Sequence, residues 1–239
     1  MVAHQIAAVD PVLVHLARQQ VRRAIATQLQ DALQATYNRL SNAETAGQRA
    51  LRNICLSYLV TADHAGVERA ADQFAANANM TDVLAALELL VEQDNPHRQS
   101  AVATFYARWR GDPLVLDKWF SVQAGSPHPE TGALVRALYD HPDFNLRNPN
   151  RVRALLGAFS GNVLHFHAMD GSGYQFLTEA VIAVDQHNGQ TAARLVTPLT
   201  SWRHYEPGRS ALMRTMLERI AAATGLSGDT REKVAKSLA

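Results

Sequence analysis

Along almost the whole chain, apolar residues return every three to four positions, and no period-two run sits between hairpin-type turns. A chain patterned this way builds helices. A second feature sets their length. Asp10 with Pro11, Asn95 with Pro96, Asp112 with Pro113 and Asn148 with Pro149 each put a capping side chain directly before a proline. The proline loses nothing at a helix start, because the first amides have no intrahelical acceptor. Helices restarted so often are short. The expected architecture is all-α: an irregular α-solenoid or superhelix of about twelve short antiparallel helices, stacked as in HEAT and armadillo proteins, without a strict sequence repeat. Residues 1–10 read as a lead-in or linker and residues 11–239 as one all-helical domain.

The stripes predict which residues face inward. The first helix is expected to run to about Arg39, with Val14, Ala17, Val21, Ile25, Leu29 and Ala32 on its buried face and Arg18 and Arg22 on another. The second carries Leu51, Ile54, Cys55, Tyr58 and Leu59, and after a break near Ala62 and Asp63 the third carries Val67, Ala70, Ala71, Phe74 and Ala75. Thr81 is the expected cap of the apolar helix bearing Val83, Leu84, Leu87, Leu90 and Val91. Downstream, helices are expected over residues 172–187 and 190–202, and Gly225 marks a helix stop.

Composition narrows the function. With 239 residues, 47% of them apolar, the chain can bury a substantial core without disulfides or a structural metal. Its formal net charge of +1 supplies no general basic field, which argues against nucleic-acid and acidic-membrane partners. The single cysteine, Cys55, sits in a helical stripe and reads as a small buried hydrophobe, so a reducing, cytoplasmic setting is expected. The opening MVAHQIAAVDP lacks the basic start and apolar core of a leader, and no later run approaches the ~20 residues that span a bilayer.

One stretch breaks the charge balance. Between Asp143 and Asp170 there is no acidic residue, while Arg147, Arg151, Arg153, His165 and His167 all fall inside. Asn148 and Pro149 place Arg151 and Arg153 in an opening helical turn, where the macrodipole disfavours cations. They either converge with the helix amides on an anion-attracting pocket, or point to solvent and pair with acids elsewhere. His165, His167 and Asp170 are the nearest approach to a metal-ligand set, but they lie on an apparent loop and lack an i, i+4 histidine pair, so local hydrogen bonding is the simpler reading. The DGSG segment reads as a tight turn in which Gly171 and Gly173 supply unusual dihedrals, Ser172 caps the next helix and Tyr174 stands at its start. Arg194 lies four residues before Pro198 in one helix. The resulting kink either aims a side chain inward or only bends the helix to follow its neighbours.

Taken in order, NMTD at residues 79–82, DKWF at 117–120, NPNR at 148–151 and DGSGY at 170–174 resemble the C-terminal helical domain of bacterial aminopeptidase N, the zinc-dependent alanyl aminopeptidase family. The resemblance runs from about Asp10 to Ala239 and includes the terminal LSGDTREKVAKSLA. It implies a non-catalytic domain of a peptide hydrolase that closes over a catalytic domain upstream in the same polypeptide, making a cavity that admits short peptides and excludes folded proteins. The zinc-binding HExxH helix belongs to that upstream domain and is absent from this sequence. The chain alone is therefore expected to be inactive and to need no cofactor of its own. By the same resemblance Arg151 and Arg194 line the cavity and meet the carboxylate end of a short peptide or product, with Arg153 and Tyr174 as secondary lining positions. His165 and His167 receive no role. The competing expectation is a stand-alone α-solenoid that binds a protein partner on its concave face.

Overall fold

The computed structural model describes residues 8–239. Of the expected lead-in, residues 1–7 lie outside the described residues. In order, the helices are α1 (Pro11–Gln28), α2 (Gln30–Arg39), α3 (Ala46–Ala62), α4 (His64–Ala76), α5 (Met80–Val91), α6 (Arg98–Trp109), α7 (Pro113–Gly125), α8 (Thr131–Tyr139), α9 (Pro149–Val152), α10 (Ala158–Ser160), α11 (Val163–Phe166), α12 (Ser172–Asp185), α13 (Gly189–Thr200), α14 (Pro207–Ala221) and α15 (Gly228–Leu238). A π-helical segment, Arg153–Gly157, joins α9 to α10, and a 3-10 turn, Trp202–His204, follows α13. The protein is all-α, with no β-strand among the described residues. The described chain divides into two compact units, residues 16–122 and residues 123–239 together with residues 8–15.

Local chemistry starts and stops the helices much as the sequence implies. Asp10 accepts from the amides of Val12 and Leu13, Asp112 from those of Leu114 and Val115, and Asn148 from those of Asn150 and Arg151. Asp63 ends α3 and caps α4 through Gly66. Three readings need correction. The expected first helix is two, because the backbone leaves helical geometry at Leu29. The cap of α5 is Asn79, which accepts from the Asp82 amide, and Thr81 lies inside the helix. Asn95 accepts from the His97 amide in a turn ahead of α6, not at its first residue.

In the unit of residues 16–122, consecutive helices pack on one another around Leu56, Leu59, Ala70, Val83, Ala86, Leu87 and Leu90, all nearly or fully buried. The buried face of α3 is Cys55, Leu56, Leu59 and Val60, rotated from the expected one so that Leu51 and Ile54 are exposed. The NMTD motif makes a buried polar knot. The Asp82 carboxylate accepts from Asn53 and Asn79 at 2.9 Å each. Gln73 donates to Asn53 and to the Asp82 carbonyl, and the Tyr37 hydroxyl donates to Gln73. Buried polar groups joined this completely fix helix register, since any slip would strand several at once. In DKWF, Phe120 is fully buried and the Trp119 indole donates to the Val102 carbonyl at 3.1 Å.

In the other unit, α12, α13, α14 and α15 form the packed centre, with Tyr174, Leu177, Val181, Val184, Val196, Leu199, Met213 and Leu217 at or near zero exposure. A short parallel bridge adds a non-helical tie: the Val9 amide donates to the His204 carbonyl at 2.9 Å and the Glu206 amide to the Val9 carbonyl at 3.2 Å.

Candidate functional site

Within residues 123–239, one face of α13 lies against the helical run from Pro149 to Ser160 and leaves a groove of ≈ 200 Å³. Pro149, Val152, Arg153, Gly157 and Ser160 form one wall, and Asn188, Gln190, Thr191, Arg194, Leu195 and Pro198 the other. No acidic residue lines it. Arg153 and Arg194 are both exposed, and among the described residues neither forms an ion pair; the Arg153 guanidinium touches the Asn150 side chain at 3.4 Å. Among the described residues, two cations are thus held in one groove without a countercharge, 41 positions apart in sequence.

Local structure explains how they are presented. On one wall the helix winds with one extra residue per turn, the Ala158 amide donating to the Arg153 carbonyl, and so carries Arg153 through a π turn. The stem of Arg153 lies over Gly157, where a Cβ would stand 3.3 Å from the arginine Cγ. On the other wall Asn188 caps α13 by accepting from the Thr191 amide at 2.9 Å, so the positive end of a 12-residue helix borders the groove. Pro198 stands inside α13, which continues past it to Thr200, and the proline ring itself lines the groove. Two guanidiniums, the positive end of a helix and the Thr191 side chain suit one kind of ligand, a small anion such as a carboxylate, while the Ser160 hydroxyl is already spent on the Gly157 carbonyl.

The other sequence-marked residues lie elsewhere. Arg151 is 5% exposed and is not part of the groove wall. Tyr174 is fully buried, and its hydroxyl lies 2.7 Å from Nδ1 of His167. His165 belongs to α11 rather than to a loop, and among the described residues no group of three or more His, Cys, Asp or Glu is placed to hold a metal ion. The DGSGY turn works differently in detail. Gly171 takes the left-handed conformation at φ 72°, whereas Gly173 is helical. Gly171, not Ser172, is the N-cap and brings no side-chain oxygen; Asp170, just ahead of it, accepts from the Ser172 amide at 2.9 Å. Gly173 is needed for closeness: a Cβ there would meet the His165 carbonyl oxygen at 2.4 Å.

Sequence reasoning missed Arg209. It is 1% exposed, donating from Nε to the His167 carbonyl at 2.7 Å and from Nη1 to Glu206 at 2.8 Å and Asp10 at 3.4 Å. The only sequence signal was Glu206 before Pro207, a capping acid three residues ahead of the arginine. This buried cation shapes its neighbour. Burial, reinforced by the Arg209 charge, pushes the His167 ring down to about 4, and burial holds the Tyr174 phenol well above its ordinary range. His167 is therefore neutral at physiological pH and structural in role. Because its folded pKa lies below the unfolded value near 6.5, unfolding takes up a proton between those limits, so stability falls as pH drops from about 6.5 toward 4. This one group contributes a slope approaching about 1.4 kcal/mol per pH unit. Denaturant titrations across that interval should show a shallower acid loss in His167→Asn than in the parent chain, and parallel profiles would exclude the effect.

Comparison with known proteins identifies the family and the fold. Residues 1–239 match the family model described as a domain of unknown function, DUF3458_C, ARM repeats. The chain is 42% identical over 240 residues to aminopeptidase N of Caulobacter vibrioides and 40% identical over 240 residues to that of Escherichia coli. Each match covers 97% of this chain and 28% of the relative. A crystal structure of Legionella pneumophila aminopeptidase A in complex with aspartic acid superposes with a TM-score of 0.91 at 32% identity, covering 99% of this chain and 30% of that one. The chain thus spans under a third of the length of these relatives. It belongs to the DUF3458_C ARM-repeat family and is homologous to the C-terminal region of bacterial aminopeptidase N.

Proposed function

We propose that this chain is the non-catalytic C-terminal domain of a cytoplasmic zinc metallo-aminopeptidase, where it walls the catalytic cavity and controls the access of short peptides. The observation that carries this reading is the match of 97% of the chain to aminopeptidase N over only 28% of that protein's length. Zinc and the peptide-cleaving groups would belong to the remainder of the polypeptide. What this chain contributes is shape and charge. In the proposed arrangement the groove faces the cavity, and Arg153 and Arg194 receive the C-terminal carboxylate of a short peptide or product. A site withdrawn from bulk water strengthens such pairing, since a guanidinium fork satisfies both carboxylate oxygens.

The test compares short peptides with a free C-terminal carboxylate against the same peptides carrying a terminal amide, in the full-length enzyme. Replacing Arg153 and Arg194 together by Ala should lower kcat/KM for the free acids by about 10-fold, the scale of one lost charge-assisted contact, and change the amides by less than about 2-fold. Equal losses on both series would remove carboxylate recognition from the reading.

A further inference from the structure

The first helix carries an apolar face that nothing in its own unit covers. Along α1, Leu16, Ala17, Val21 and Ala24 follow the i, i+1, i+5, i+8 spacing of one helix face, and all four are exposed, Leu16 at 50% and Val21 at 60%. The opposite face is the packed one. Ala26 is fully buried there, and Arg22 reaches across to donate to the Ser57 carbonyl at 3.0 Å with its guanidinium 5.8 Å from the centre of the Tyr58 ring. The helix has therefore turned its arginine inward and its valine outward, the reverse of the expected stripe. Arg18 and Arg23 flank the apolar face, exposed and, among the described residues, without an ion pair, and no acidic residue occurs between Asp10 and Asp31. A basic rim around an apolar centre is the pattern of a docking surface for an acidic-rimmed partner.

We infer that this face of α1 docks onto an acidic-rimmed apolar surface of the polypeptide that precedes residue 8 in the full-length protein. The inference rests on the reading of the chain as the C-terminal part of a longer enzyme. Two observations select that occupant over a separate protein. The relatives carry more than two thirds of their length outside the matched region. In addition, α1 is the first helix of the described chain, so Leu16 lies about 9 Å along the helix axis from Asp10, within immediate reach of preceding domains. Docking also accounts for the outward valine, which would otherwise expose apolar surface to no purpose.

Thiol labelling of the full-length protein, read by peptide mapping at the introduced cysteine, tests this; within this chain the native Cys55 is buried. Val21→Cys should react with a maleimide at least 10-fold more slowly in the full-length protein than in the 239-residue chain. Leu114→Cys, at a position 69% exposed, should react equally fast in both. Adding Arg18→Glu with Arg23→Glu should restore fast labelling of Cys at position 21 in the full-length protein. Equal rates for Val21→Cys in the two contexts would overturn the inference while leaving the domain reading intact. So would protection that appears in the 239-residue chain and vanishes on dilution, since a second copy would then be the occupant. A native gene product no longer than this chain would instead overturn the domain reading, independently of any labelling rate.

Discussion

Substituting Gly173 by Ala should destabilise the chain by roughly 3 kcal/mol or more, enough to leave much of it unfolded at 37 °C. The added methyl would stand 2.4 Å from the His165 carbonyl oxygen, 2.5 Å from that of Phe166 and 2.7 Å from the Phe166 Cα, all backbone atoms that cannot swing aside. Moving α12 away from α11 to relieve the clash would uncover Tyr174, Phe176 and Leu177, the buried residues that follow directly. Ordinarily glycine to alanine inside a helix stabilises by nearly 1 kcal/mol, so the sign itself is diagnostic. Chemical denaturation of both chains checks it, and a variant as stable as the parent would show that α11 and α12 do not approach so closely.

The second large effect is expected at Asp185, where the end of α12 meets the start of α15. Its carboxylate accepts from the Ser227 amide at 2.7 Å, from the Ser227 hydroxyl at 2.6 Å and from the hydroxyl of Thr230. Ser227 in turn caps α15, and it leaves no room for a side chain at Gly189, where a Cβ would sit 2.3 Å from its hydroxyl. One acid thus ties the end of α12 to the start of α15. Burial alone would raise its pKa, but the hydrogen bonds from Ser227 and Thr230 outweigh that and hold the carboxyl below its ordinary value. Asp185→Asn turns one acceptor oxygen into a donor facing other donors, and the expected cost is about 3 kcal/mol at pH 7. The folded pKa is the lower one, so this stabilisation is present above the unfolded value near 3.9 and is lost as pH falls through the folded one. The gap in stability between parent and variant should accordingly narrow in acid below about pH 4. A gap that stayed constant with pH would assign the loss to packing alone.

The elements most legible in the sequence are those decided by neighbours in the chain. Asp10, Asp112 and Asn148 cap helices because each needs only an amide two or three residues ahead. Even the errors at Thr81 and Ser172 are small, since the structure uses another polar residue of the same short motif. Orientation was less legible. Periodicity groups Val21 with Ala17 on a face, but it carries no information about whether that face meets a neighbour or solvent, and here it meets solvent. What was not legible depends on distant partners. Arg209 is buried because Asp10, almost 200 residues earlier, and the His167 carbonyl arrive beside it. Likewise the acid-free stretch supplies one wall of the groove, but only the packing of α13 against it puts Arg153 and Arg194 in one place while leaving Arg151 inside. The π turn that carries Arg153 has no sequence signature at all.

The most direct test of the central claim is the intact mass of the product made from the native gene, measured together with its zinc-dependent release of N-terminal residues from short peptides. A single polypeptide more than three times 26.2 kDa that cleaves such peptides is the expected result, in keeping with a chain that covers 28% of its relatives. A native product of 26.2 kDa without that activity would contradict it and leave a stand-alone helical scaffold in its place.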